Sequence, residues 1–182
     1  MPLSVPSYRP MMPTTIIPFG LASEPFQSAA SNSANASLAA GTLSNTTVYA
    51  FPFLVWEPYT VKAVAVVNGA TVNGNWDIGV YSYDGATQYV STGATAQSGT
   101  SAAQVVTVAS TLLAPGRYWM AFGVSSGTAT YARWTPSSNW TQASGQMIQT
   151  VVSGAPLPAT LTLATSTAVN VPLFALMDRT DY

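Results

Sequence analysis

Beyond Thr46 the chain is built of short β-branched and aromatic runs, each closed by Gly, Pro, Asn, Asp or Ser. That punctuation is the signature of strands joined by turns. The runs predict strands near 46–56, 59–68, 75–83, 87–92, 103–109, 116–125, 128–134, 146–152, 160–165 and 170–177. No segment sustains an apolar stripe at helical spacing. The run SAAQVVTVASTLLA is the one place with the length for a short helix, and there Val105, Val106 and Val108 favour strand. Short strands in this number and at this spacing predict an all-β domain, a jelly-roll-like antiparallel β-sandwich.

Two runs show the pattern most clearly. In NGNWDIGVYSYDG, alternation turns Trp76, Ile78 and Val80 to one face and Asp77, Gly79, Tyr81 and Tyr83 to the other. The first face reads as core. The second is semi-polar and aromatic, with Gly79 leaving room for a close neighbour. Asp84-Gly85 then predicts a tight hairpin turn, in which both central residues take positive φ. The run LLAPGRYWMAFGV behaves alike: Tyr118, Met120, Phe122 and Val124 alternate against Arg117, Trp119, Ala121 and Gly123. Aromatic side chains stabilise cores and interfaces by the area they bury. On that ground the Tyr81 and Tyr83 face is expected at a sheet edge or a subunit interface, with a sugar-stacking platform as the sharper alternative.

Residues 1–45 are of another kind. Six of the thirteen prolines fall within the first 25 residues, spaced so that neither a helix nor a central strand forms. The polar, small-residue stretch QSAASNSANASLAAGTLSN follows without a period. The expected organisation is an extended, proline-rich N-terminal arm over 1–45 and a sandwich over 46–182. The arm holds Met11, Met12, Ile16, Ile17, Phe19 and Phe26, more apolar side chains than a solvated tail contains. These residues are therefore expected to dock, on the chain's own domain or on a neighbouring subunit or shell protein.

Composition narrows the function. Charged residues make up 6% of the 182-residue chain, against about 25% in ordinary soluble domains, which suits a surface packed into an assembly. The net charge of −1 comes from charges scattered singly, so neither a nucleic-acid stripe nor a polybasic membrane patch is expected. The chain has no His and no Cys, which removes the usual general base, the usual zinc ligands and any disulfide framework. The first residues lack a basic segment followed by an apolar run, and no 18-residue apolar stretch occurs, so a soluble chain without a cleaved leader is expected. Asn35, Asn45 and Asn139 stand in sequons, read as chance in an Asn/Ser/Thr-rich chain.

The run from Val48 to Ala94, followed by LLAPGRYWMAFGV, resembles the small β-sandwich domain of tailed-bacteriophage virion proteins, notably tail-fibre and head-decoration components. The resembling elements are Tyr49-x-Phe51-Pro52-Phe53, Pro58-Tyr59-Thr60-Val61, Gly79-Val80-Tyr81-Ser82-Tyr83-Asp84-Gly85 and Pro115-Gly116-Arg117-Tyr118-Trp119. They span roughly Thr46 to Trp134, about half of the chain, and are signatures of fold without a catalytic fingerprint. The resemblance implies a homo-oligomer, a trimer, on a capsid surface or at a fibre tip, assembled in the host cytoplasm.

Three functional readings follow. The first is a non-enzymatic capsid decoration or cement protein that binds the major capsid protein or another virion protein through its sandwich and arm. The second is a tail-fibre, receptor-binding or carbohydrate-binding module, with Tyr131, Trp134 and Trp140 as candidate glycan or interface aromatics. The third, an enzyme, is disfavoured: a glycosidase needs two facing carboxylates, and Asp77 with Glu57 is the one pair expected to lie close. A lone Lys62 has no motif beside it for a Ser-Lys nucleophile. Neither Asp77 nor Asp84 belongs to a dense oxygen-ligand loop suited to calcium. No cofactor and no metal are expected.

Overall fold

The computed structural model describes residues 17–19, 37–135, 145–166 and 170–178. All regular structure among them is β, and every pairing is antiparallel. The first two strands are β1 (Ile17–Phe19) and β2 (Ser37–Thr42). The central ones are β3 (Thr47–Val55), β4 (Tyr59–Val67), β5 (Asn75–Ser82), β6 (Gln88–Ser91), β7 (Thr95–Ala96) and β8 (Ala103–Leu113). After them come β9 (Gly116–Val124), β10 (Thr130–Thr135), β11 (Met147–Thr150), β12 (Ala164–Thr165), β13 (Val171–Pro172) and β14 (Phe174–Met177).

The large sheet runs β12-β11-β3-β9-β5-β6, with β7 added beside β5. Facing it are β1-β14-β4-β8 and the three-stranded β13-β10-β2. The main core lies between, and the alternation read from sequence sets its contents. Tyr49, Phe51 and Val55 of β3, Trp76, Ile78 and Val80 of β5, and Tyr118, Met120, Phe122 and Val124 of β9 meet Val61, Val64, Phe174 and Leu176 from the opposite sheet. Phe122 stacks on Phe174 with centroids 5.4 Å apart and takes Tyr131 edge-on at 5.4 Å. Such pairs stabilise beyond their buried area.

Several predicted elements come out differently. The segment Ser37–Thr42, read as arm, is a strand registered residue for residue along β10. Its residues SLAAGT lack the β-branched signal, and it is recruited by pairing. The SAAQVVTVASTLLA run is one long strand, β8, whose register on β4 shifts between Val61 and Ala63. Only Ala164–Thr165 of the 160–165 run is strand, and the 170–177 run is split into β13 and β14. The β5–β6 connection is a five-residue loop, not a two-residue turn, because only Gly85, at φ +76°, has positive φ there. Asp84 shapes the loop with its carboxylate, which accepts from the Ser82 hydroxyl and from the Ala86 N–H at 3.0 Å.

The second face of the large sheet is also a core over part of its length. Residues 151–163 cross it as a strap, and Leu157 and Leu161 pack with Val48, Ala50, Tyr81 and Ala121. Gly79 and Gly123 permit this approach. A Cβ at Gly79 would lie 3.0 Å from the Leu157 side chain, and one at Gly123 would lie 1.9 Å from the Gly154 carbonyl oxygen. Tyr81 is consequently fully buried, its hydroxyl donating to the Pro158 carbonyl at 2.6 Å and accepting from Gln88 Nε2 at 2.7 Å. The expectation that Tyr81 sits at an edge or subunit interface is therefore corrected: the chain's own strap supplies its cover.

Candidate interaction surface

The two ends of the sandwich differ in chemistry. At the end where β4 runs out and β5 begins, amide side chains close the structure. Gln104 Oε1 accepts from Trp76 Nε1 at 3.1 Å, from the Ser98 N–H at 2.9 Å and from Asn68 Nδ2 at 3.1 Å. Gln97 Nε2 donates to Asn68 Oδ1 and to the Thr130 carbonyl. Buried polar atoms satisfied in this way fix loops to core without exposing apolar surface.

Asp77 anchors the strap at that end. It is 0% exposed, and its carboxylate makes five acceptor contacts to four donors: Ser91 Oγ, whose proton is shared between the two oxygens at 3.1 Å each, Thr92 N–H at 3.0 Å, Thr92 Oγ1 at 2.9 Å and Leu157 N–H at 2.9 Å. Burial pushes the carboxyl above its ordinary value, and these donors pull the other way. Glu57 is exposed in the β3–β4 turn at the opposite end. Asp77 pairs with Gly123 and the turn follows Val55 paired with Gly116, a separation along β9 of roughly 24 Å at strand rise. The two carboxylates do not face one cleft. Among the described residues no group of three or more potential metal-ligating side chains occurs.

The end bearing the β3–β4 and β8–β9 turns is apolar and, among the described residues, uncovered. Among the described residues, five of the seven exposed large hydrophobic side chains gather there: Leu54, Trp56, Tyr83, Tyr89 and Leu112. Trp56 is 82% exposed and Leu112 66%. Scattered apolar side chains are normal on a surface, whereas their concentration at one end is informative. Beneath them is a rigid aromatic base. Tyr118 contacts Phe53 at 5.6 Å and Tyr89 at 5.8 Å, and its hydroxyl donates to the Ala114 carbonyl at 2.8 Å, tying the β8–β9 turn.

On the strap-free part of the large sheet's outer face this end forms a shallow groove of about 360 Å³, lined by Pro52, Phe53, Leu54, Tyr83 and Arg117. Its wall is a stack within the chain: Trp119 lies parallel to Tyr83 at 5.5 Å, and the Arg117 guanidinium sits 5.7 Å from the Tyr83 centroid. The Trp119 Nε1–H donates to the Tyr83 carbonyl at 2.8 Å and fixes the indole. A flat, apolar groove with one cationic edge suits another protein's surface, where aromatics and Arg are enriched and other charges depleted.

The sequence-derived candidates fall elsewhere. Tyr131 is 0% exposed in the main core, so no sugar reaches its ring. Trp134 is partly buried against the same core. Met11, Met12, Ile16, Phe26 and Trp140 lie outside the described residues. Of the arm, the backbone of Ile17–Phe19 pairs with Phe174–Leu176 of the same chain. The groove was half visible in sequence, since Tyr83 in one run and Arg117 and Trp119 in the other were each placed on their own strand's semi-polar face. Trp56 and Leu54 were missed because Glu57-Pro58 reads as turn chemistry and says nothing of exposure. No protein-family model, curated protein or solved structure matches the chain.

Proposed function

We propose that the protein is a non-enzymatic structural component of a tailed-bacteriophage virion, a jelly-roll-like sandwich that decorates or cements the capsid. It docks on the major capsid protein, or on another shell protein, through the groove at its apolar end, and works as a symmetric homo-oligomer, a trimer. The observation behind this reading is the gathering of Leu54, Tyr83 and their apolar neighbours at one end of a molecule whose other end is closed by satisfied amides. A chain with 6% charged residues has little to keep this end apart from other surfaces, and each large side chain fully buried on docking contributes roughly 1.5 to 3 kcal/mol. The phage sandwich resemblance supplies the kind of assembly. The glycan-binding alternative has no support from the placement of Tyr131 and Trp134.

The test is co-sedimentation of the purified protein with capsids. A Leu54→Asp variant with an unchanged circular dichroism spectrum and melting temperature is expected to lose at least tenfold in capsid binding. Equal binding by the variant and the parent would refute the groove as the docking surface.

A further inference from the structure

The groove on the outer face of the large sheet carries one charge, and that charge restricts what can occupy it. Its floor is made of cross-strand pairs: Pro52 of β3 lies opposite Trp119 of β9, and Leu54 opposite Arg117. Leu54, Tyr83 and Arg117 are exposed, and Arg117 is the sole charged residue of the lining. Among the described residues no carboxylate pairs with it; its guanidinium rests over the Tyr83 ring at 5.7 Å. That ring is braced in turn by its stack on Trp119, whose indole N–H is bonded to the Tyr83 carbonyl. The cation is thus supported before anything docks, which reduces the entropy lost on docking.

A purely apolar surface closing over the groove would strip the guanidinium of water without supplying an acceptor, and an unpaired buried charge outweighs what covering Pro52 and Leu54 contributes. A carboxylate meets the need, because the planar guanidinium takes it through two parallel N–H···O bonds. Shape restricts the occupant further. A shallow groove of about 360 Å³ holds a few side chains and cannot seat a helix about 10 Å across. The covered part of the same face is filled by non-helical chain, the strap, which lays Leu157 and Leu161 on Ala50, Tyr81 and Ala121. The strap is tied down beside the groove by the Leu161 N–H, which donates to the Gly85 carbonyl at 2.9 Å.

We propose that the occupant of the groove is a non-helical segment of a partner protein that lays aliphatic side chains on Pro52 and Leu54 and pairs an Asp or Glu with Arg117. This rests on the groove being the docking surface, as in the proposed function, and the segment's chemistry is the same whether or not its owner is a capsid protein.

In the test, immobilised full-length protein selects from a displayed library of short random peptides, and Leu54→Asp protein serves as counter-selection to remove peptides bound elsewhere. The selected peptides are expected to combine aliphatic residues with Asp or Glu, to bind at least tenfold more weakly to Arg117→Glu, and to lose affinity severalfold as salt is raised. Arg117→Lys is expected to fall between the two, since it keeps the charge and loses the fork. If Arg117→Glu differs from the parent in circular dichroism, Arg117→Gln takes its place. Selected peptides without acidic residues, equal binding of acidic peptides by the parent and the charge variant, or a selection that yields no groove-dependent peptide would each overturn the proposal. Self-association of the parent that the charge variant abolishes would overturn it in favour of a second copy. Capsid co-sedimentation of the same proteins keeps the two readings apart: acidic-peptide binding without capsid binding upholds the groove's chemistry and removes the capsid as its partner.

Discussion

Asp77 shows how one buried residue organises its surroundings. Its five acceptor contacts hold the β6–β7 connection and the strap to β5. Removing the carboxylate leaves the Leu157 and Thr92 N–H groups without their acceptor, at a cost of about 1 to 3 kcal/mol each where they are buried. Asp77→Ala should accordingly lower the unfolding free energy by about 2 to 5 kcal/mol in urea titration. A loss below about 1 kcal/mol would mean that the strap is held elsewhere.

The pH dependence has a definite sign. A carboxyl raised in the folded state binds more protons folded than unfolded, so its contribution is fully present below the unfolded value and is lost as pH rises through the folded one. Relative to Asp77→Asn, the parent should lose stability as pH climbs from 3.8 through the raised Asp77 value. Desolvation also raises Tyr81 and Tyr131, and pushes Tyr59 up to about 12 with some help from Asp178. A second loss of stability should therefore begin near pH 10, where unfolded tyrosines ionise and these stay neutral. Chemical denaturation at a series of pH values reads both limbs.

Among the elements, legibility followed periodicity. The strands containing Trp76 and Phe122 were readable to within a residue or two, because alternation and β-branching act locally. The faces of β5 and β9 were read correctly as well. What covers the second face was not readable: residues 151–163 have no period, and the strap is defined by long-range contacts such as Leu157 on Gly79 and Gly154 on Gly123. Ser37–Thr42 was misplaced for the related reason that its partner, β10, lies some ninety residues downstream. Gly79 was the one local hint, an absent side chain in a strand otherwise rich in large ones. Gly123→Ala tests the strap directly. With a Cβ 1.9 Å from the Gly154 carbonyl oxygen, backbone must move, and the variant should lose at least about 2 kcal/mol. Amide exchange should rise first in residues 151–163. Unchanged exchange there would show that the two glycines do not set the strap's position.

For the molecule as a whole, the contrast between its ends matters most. One end is a network of satisfied Asn and Gln amides; the other presents Leu54, Trp56, Tyr83, Tyr89 and Leu112. Composition suggested a surface suited to an assembly, but it could not show which part of that surface is apolar, because exposure is a property of the folded chain. Tyr131 illustrates this: it was a candidate glycan or interface aromatic in sequence, and the fold buries it against Phe122. Exposed edge strands and apolar ends favour association, and in closed symmetric oligomers such surfaces are shared among copies.

The most direct measurement is the protein's copy number in purified virus particles, by quantitative mass spectrometry against the major shell protein. A capsid-decorating role predicts a ratio of the same order as that of the shell protein. A ratio far below it, or absence from particles, would contradict that role.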